Sequence, residues 1–190
     1  MKVFLTIIIS MFFSIANYGQ IKFWENLSCE EKTNILNVCE SELIKTFYEG
    51  HFVLSDDEKT VGLLNDLITV NDSTLPLSFY LLNKICTQSD GALAETVSSS
   101  CIQFVAMRPI YFLSYFSNNR EISKQKQLFE TYAMFIGSEL YYKRIGTSNI
   151  KYDYKNLKEI FNSASESNND IKETFNEFWK LVDKYIKNME

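Results

Sequence analysis

One histidine, two prolines, six glycines and three arginines are all that 190 residues supply of those types, and each shortage narrows the chemistry. His51 is the only imidazole, so any Ser-His-Asp or Cys-His mechanism must run through it. Glu49, Asp56 and Asp57 stand near it in sequence, but its position between two expected helices reads as an exposed loop residue without a catalytic role. A single histidine also cannot build the His-rich sites of catalytic zinc, and no Cys-x-x-Cys pair is present. The expectation is therefore no metal and no cofactor.

The glycines are scattered singly, which removes a glycine-rich phosphate cradle. Arg108, Arg120 and Arg144 are too few for a nucleic-acid footprint in an acidic chain. The densest basic stretches, Lys124-Gln125-Lys126 and Lys143-Arg144, are too short to make one. Beyond the N-terminus no apolar run approaches the roughly 18 residues of a membrane span, so no integral segment is expected after the leader is removed.

The N-terminus is different in kind. Lys2 is followed by a run from Val3 to Ala16 broken only by Thr6, Ser10 and Ser14, with small residues three and one before a cut after Ala16. This is the pattern of a secretory signal peptide over residues 1–19, cleaved after Ala16 or after Gly19. About 14 helical residues cover roughly 21 Å, short of the roughly 30 Å hydrocarbon core, so cleavage is expected rather than anchoring. The mature chain, a single domain over residues 20–190, should then be periplasmic or secreted. Losing Lys2, the one charge of the leader, takes the net charge from −5 to −6. About 170 residues suffice for one core that buries roughly 70% of the unfolded chain's surface.

Export places all four cysteines, Cys29, Cys39, Cys86 and Cys101, where bridges can form. Cys29 and Cys39 on one helix lie about 15 Å apart along its axis, beyond disulfide reach. Cys86 falls about three residues before an expected turn near Asp90 and Cys101 about ten after it, so an antiparallel hairpin sets them at different depths. Cross-pairings such as Cys39 with Cys86 remain open, and buried free thiols are the plainer expectation.

The punctuation of the mature chain is helical. Ser28-Cys29-Glu30-Glu31 reads as a capping box opening a helix that carries Ile35, Leu36, Cys39, Leu43, Ile44 and Phe47 to Gly50. Ser55 to Glu58 repeats the box ahead of an inner stripe of Val61, Leu64, Leu67 and Ile68. Pro76 starts the next helix, where its missing N–H costs nothing, and Leu77 to Ile85 is apolar on nearly every face, as a central helix is. A segment from Ala92 to Met107 closes at Pro109, and Ile110 to Phe116 is again apolar all round.

A long helix from Ser123 stops at Gly146. A shorter one follows around Leu157, Ile160 and Phe161, and a last one starts at Asp170 with a stripe of Phe175, Phe178, Trp179, Val182 and Ile186. No strand pattern persists. The expected fold is all-α, with about seven or eight helices in antiparallel pairs, forming an irregular HEAT-like solenoid or a compact helical bundle.

Chemistry-bearing pairs fare poorly in this frame. Glu130 and Glu139, nine residues apart on the long helix, are half a turn out of phase and face opposite ways. Asp90 and Glu95 flank a helix start, where capping accounts for them. Ser98-Ser99-Ser100-Cys101 reads as small residues permitting close helix packing. Aromatics make up 15% of the chain, and Tyr141, Tyr142, Tyr152 and Tyr154 cluster with Lys143, Lys151 and Lys155 around Gly146 as a possible interaction surface. The expectation is a non-enzymatic exported module that binds another protein, a periplasmic immunity protein masking a toxin being one specific form. The alternatives are a carboxylate-dependent hydrolase in a helical fold and a carrier of a small apolar ligand.

Overall fold

The computed structural model describes residues 21–69, 71–118, 123–166 and 168–190; the expected signal peptide lies outside them. A short 3-10 turn, Trp24–Asn26, leads into nine α-helices among the described residues: α1 Cys29–Val38, α2 Glu42–Tyr48, α3 Glu58–Ile68, α4 Leu75–Gln88, α5 Gly91–Met107, α6 Pro109–Ser117, α7 Ser123–Arg144, α8 Tyr154–Ser165 and α9 Asn169–Asn188.

The capping box at Ser28 is present in full. The Ser28 hydroxyl accepts from the Glu31 amide while the Glu31 carboxylate accepts from the Ser28 amide. The helix it opens is shorter than the sequence suggests. It stops at Val38, and Ser41 caps a second helix by accepting from the Ile44 amide at 3.2 Å while donating to Asp66 in α3 at 2.5 Å. That break lets α2 turn Ile44 and Phe47 inward, whereas α1 buries none of its residues.

The cap of α3 also moves. Asp57, not Ser55, accepts from the Thr60 amide at 2.8 Å, and the helix phase shifts with it. Thr60 and Leu63 join Leu64, Leu67 and Ile68 inside, while Val61 faces out. A carboxylate is the stronger cap here because it also answers the positive end of the helix dipole.

The two apolar helices behave as read. α4 buries Leu75, Leu77, Phe79, Leu81, Leu82, Ile85 and Cys86, and α6 buries a continuous run from Tyr111 to Phe116. The long α7 is the axle of the molecule. It packs along α5 on one side and α9 on the other and also reaches α4, while α9 touches α6 and α8. A solenoid unit contacts only its neighbours in order, so pairings such as α4 with α7 and α6 with α9 make this a compact bundle.

Gly137 makes the α7–α9 approach possible. A Cβ there would lie 3.0 Å from the Cβ of Tyr185 and 3.2 Å from the Val182 carbonyl oxygen. The stop at Gly146 is equally direct, because φ of +80° is a conformation glycine adopts without steric cost.

The aromatic surplus goes largely inward. Phe112 is fully buried and meets Phe116, Tyr132 and Phe178 edge-on at 5.0 to 5.1 Å. Phe79 stacks on Phe104 at 5.2 Å and takes Tyr111 and Tyr115 edge-on. The buried hydroxyl of Tyr132 donates to Asn83 at 2.9 Å, which settles the one polar atom that ring brings into the core.

The chain before α1 is part of this core. Phe23 sits against Tyr111 and Tyr115, and Trp24 against Tyr48 and Tyr80. Two tyrosine hydroxyls tie the strip down: Tyr111 donates to the Lys22 carbonyl at 2.9 Å and Tyr115 to the Glu25 carboxylate at 3.0 Å.

Candidate functional site

The residues with catalytic potential in the sequence are dispersed. His51 is exposed in the α2–α3 connection, its amide donating to the Thr46 carbonyl at 3.0 Å. Asp57 is committed to the cap of α3, and Glu49 and Asp56 are exposed. Among the described residues no group of three His, Cys, Asp or Glu side chains is placed to hold a metal ion, and no helix is long and apolar enough to cross a membrane.

The cysteines divide into two kinds. Cys29 is exposed in the first turn of α1, and Cys39, buried, follows α1 with its sulfur 4.0 Å from the Ser41 carbonyl oxygen. Cys86 and Cys101 are both buried, and their sulfurs are 3.3 Å apart. The depth reckoning that separates them in sequence does not hold. It assumes a hairpin packed along its length, whereas α5 runs mainly along α7 and α3 and meets α4 only locally.

The polar arrangement with the most structure lies between α5 and α7. Glu139 is half-buried and uses both carboxylate oxygens: one accepts from the Ser98 hydroxyl at 2.9 Å, the other from the Ser148 hydroxyl at 2.8 Å. Ser98 is 4% exposed, and its single proton has a second acceptor, the Glu95 carbonyl, also at 2.9 Å. Glu139 thus ties α5 to α7 and to the loop after α7, where the Ser148 hydroxyl also accepts from the Ile150 amide at 3.4 Å.

The space these elements enclose is an open groove of about 770 Å³. Its α7 wall is the stripe Met134, Ser138 and Tyr142, spaced by four residues, and its α5 wall includes Glu95 and Ser99. Met134 and Tyr142 remain 38% and 40% exposed. The serine run of α5 therefore has two roles: Ser100 and Cys101 are packed inside as expected, while Ser98 holds a carboxylate 41 residues away.

Glu130 lies on the opposite side of α7 from Glu139, as the nine-residue spacing implies. It borders a second groove, of about 660 Å³, with an apolar floor of Phe116, Phe129 and Leu181 and with Lys126, Lys180 and Lys184 around it.

Of the four tyrosines of the expected surface, Tyr141 and Tyr142 meet edge-on at 5.7 Å. Tyr142 opens on the α5–α7 groove, Tyr141 is half-buried beneath the Arg144 guanidinium, and Tyr152 is half-buried against the core. Tyr154 belongs to another face, where its hydroxyl donates to Asp183 at 2.8 Å and its ring meets Trp179 at 5.5 Å. No protein family, curated protein or solved structure matches this chain.

The chemistry of the α5–α7 groove is accordingly read from its own residues. A carboxylate held by two hydroxyls anchors the loop after α7, and the exposed Glu95 lines the same groove. What the groove offers outward is apolar area set among hydroxyls and the Glu95 carboxylate. Sequence reading could find Met134, Ser138 and Tyr142 as one helical stripe by their spacing, but nothing in sequence assigns Ser98 and Ser148 to Glu139.

Proposed function

We propose that this chain is an exported, non-enzymatic protein-binding module that meets its partner through the α5–α7 groove. The observation that carries the reading is the exposed stripe Met134–Ser138–Tyr142, two large adaptable or aromatic side chains flanking a hydroxyl on one wall of a groove. Met and Tyr are enriched in recognition surfaces, Met because its flexible thioether adapts to a partner and Tyr because it buries large area at modest entropic cost and keeps a polar tip. The Glu139 tie supports it further by holding the loop wall in place before a partner arrives. An acidic chain favours a partner with a basic face, and a periplasmic immunity protein that masks a toxin is one specific form of this role.

The test is capture from the envelope fraction of the source cells by the intact protein, by Met134→Glu/Tyr142→Glu, and by Lys126→Glu/Lys180→Glu as a control on the far face. A single protein held by wild type and control but lost at least tenfold by the groove variant supports the proposal. Identical capture by all three, or none, rejects it.

A second reading, carriage of a small apolar ligand, is favoured by the groove over Phe116, Phe129 and Leu181, where Lys126, Lys180 and Lys184 stand against Glu130 and Glu177 and leave one net positive charge toward an acidic head group. Displacement of a fluorescent fatty acid from wild type, weakened by Lys126→Glu/Lys180→Glu, would favour it over the first.

A further inference from the structure

We infer that Cys86 and Cys101 are joined by a disulfide in the mature protein, closing α4 onto α5 behind the α5–α7 groove. The thiols are 2% and 0% exposed, and their sulfurs lie 3.3 Å apart. A bond of about 2.05 Å asks each sulfur to move only about 0.6 Å.

Other uses of the pair fit less well. Neither sulfur is open to a substrate, and no third ligand accompanies them among the described residues. Cys29 is exposed and Cys39 lies by Ser41, so neither shares this contact. As free thiols the two would be a weak sulfur hydrogen bond near the Tyr132 hydroxyl; as a disulfide they tie residues 15 apart in sequence.

The chemistry is thiol–disulfide exchange with a disulfide-bearing oxidant, either a small molecule such as oxidised glutathione or a protein oxidase of the export compartment. One cysteine thiolate attacks the oxidant's disulfide, forming a mixed disulfide and expelling one thiolate. The second cysteine thiolate then attacks the sulfur of the first, forming Cys86–Cys101 and expelling the other. The two protons shed by the cysteines end on the two expelled thiolates, and the two electrons reduce the oxidant. Burial pushes the Cys101 thiol well up from its ordinary range, so the exchange belongs to the folding chain, before α7 covers the pair.

The bond also bears on binding. Ser98 stands one helical turn before Cys101, so the link would brace the strip of α5 that holds Glu139. In the cell the bond rests on the proposed export, but its chemistry can be tested without it. The reduced, denatured full chain is refolded with equal reduced and oxidised glutathione, alkylated in denaturant and digested. A linked peptide joining Cys86 and Cys101, with Cys29 and Cys39 alkylated and a melting point several degrees above that of protein refolded in reductant, supports the inference. Four alkylated cysteines, or a link between any other pair, overturns it. Absence of the protein from both the envelope fraction and the medium would instead reject export and leave this result standing.

Discussion

Glu31 shows how one side chain can organise a chain entry. Its carboxylate pairs with Lys22, accepts from the Ser28 amide and from the Ser28 hydroxyl, and is drawn down to about 2, first by Lys22 and then by Ser28. A carboxyl whose folded value lies below its ordinary 4.5 adds stability above that pH and loses it as pH falls toward 2. Tyr115 is the mirror case. Burial, then the charge of Glu25, pushes its phenol up to about 12, so its contribution is whole below pH 10 and fades as pH rises through 12. Both groups hold the strip of residues 22–25, so that strip should loosen at both extremes of pH. A carbon-detected titration of Glu31 should give a midpoint near 2 that rises in Lys22→Met, and absorbance should find Tyr115 ionising about two units after exposed tyrosines. An ordinary midpoint for both residues would contradict this account.

At the scale of elements, the contact between α7 and α9 depends on the missing side chain at Gly137. Replacing glycine by alanine in a helix interior ordinarily gains up to about 1 kcal/mol. Here the new methyl meets a Cβ and a backbone carbonyl at 3.0 and 3.2 Å, neither of which can swing aside, and overpacking of this kind costs about 1–3 kcal/mol. Gly137→Ala should therefore lower the denaturant midpoint; a rise would mean that the helices part easily. Element type was legible in the sequence because capping residues, prolines and the 3.6-residue period agree. The α1–α2 break was not, since Ile35, Leu36, Cys39, Leu43, Ile44 and Phe47 keep period across it. What ends the helix is Ser41 finding Asp66, a contact that exists only once α3 has docked. The Ser98–Glu139–Ser148 tie and the Cys86–Cys101 contact were hidden for the same reason: local pattern shows which face a residue takes, not which distant face it meets.

For the molecule as a whole, the aromatic content that looks like a recognition feature in composition is mostly a packing feature in space. Among the described residues every phenylalanine but Phe129 is buried. Phe112 joins α6 to α7, α8 and α9 through Tyr132, Phe161 and Phe178, so one ring binds four helices. Phe112→Ala should cost about 3–5 kcal/mol and, because its neighbours span the bundle, lower the midpoint seen by circular dichroism and by tryptophan fluorescence together. Separate midpoints would show instead that the two ends of the bundle unfold independently. The entry strip has a consequence of its own for a chain made from one end to the other. Phe23 and Trp24 are synthesised early, yet the rings that receive Phe23, and the hydroxyls that bond Lys22 and Glu25, arrive about 90 residues later on α6. That strip can be seated only after about 90 residues, close to half of the chain, have followed it.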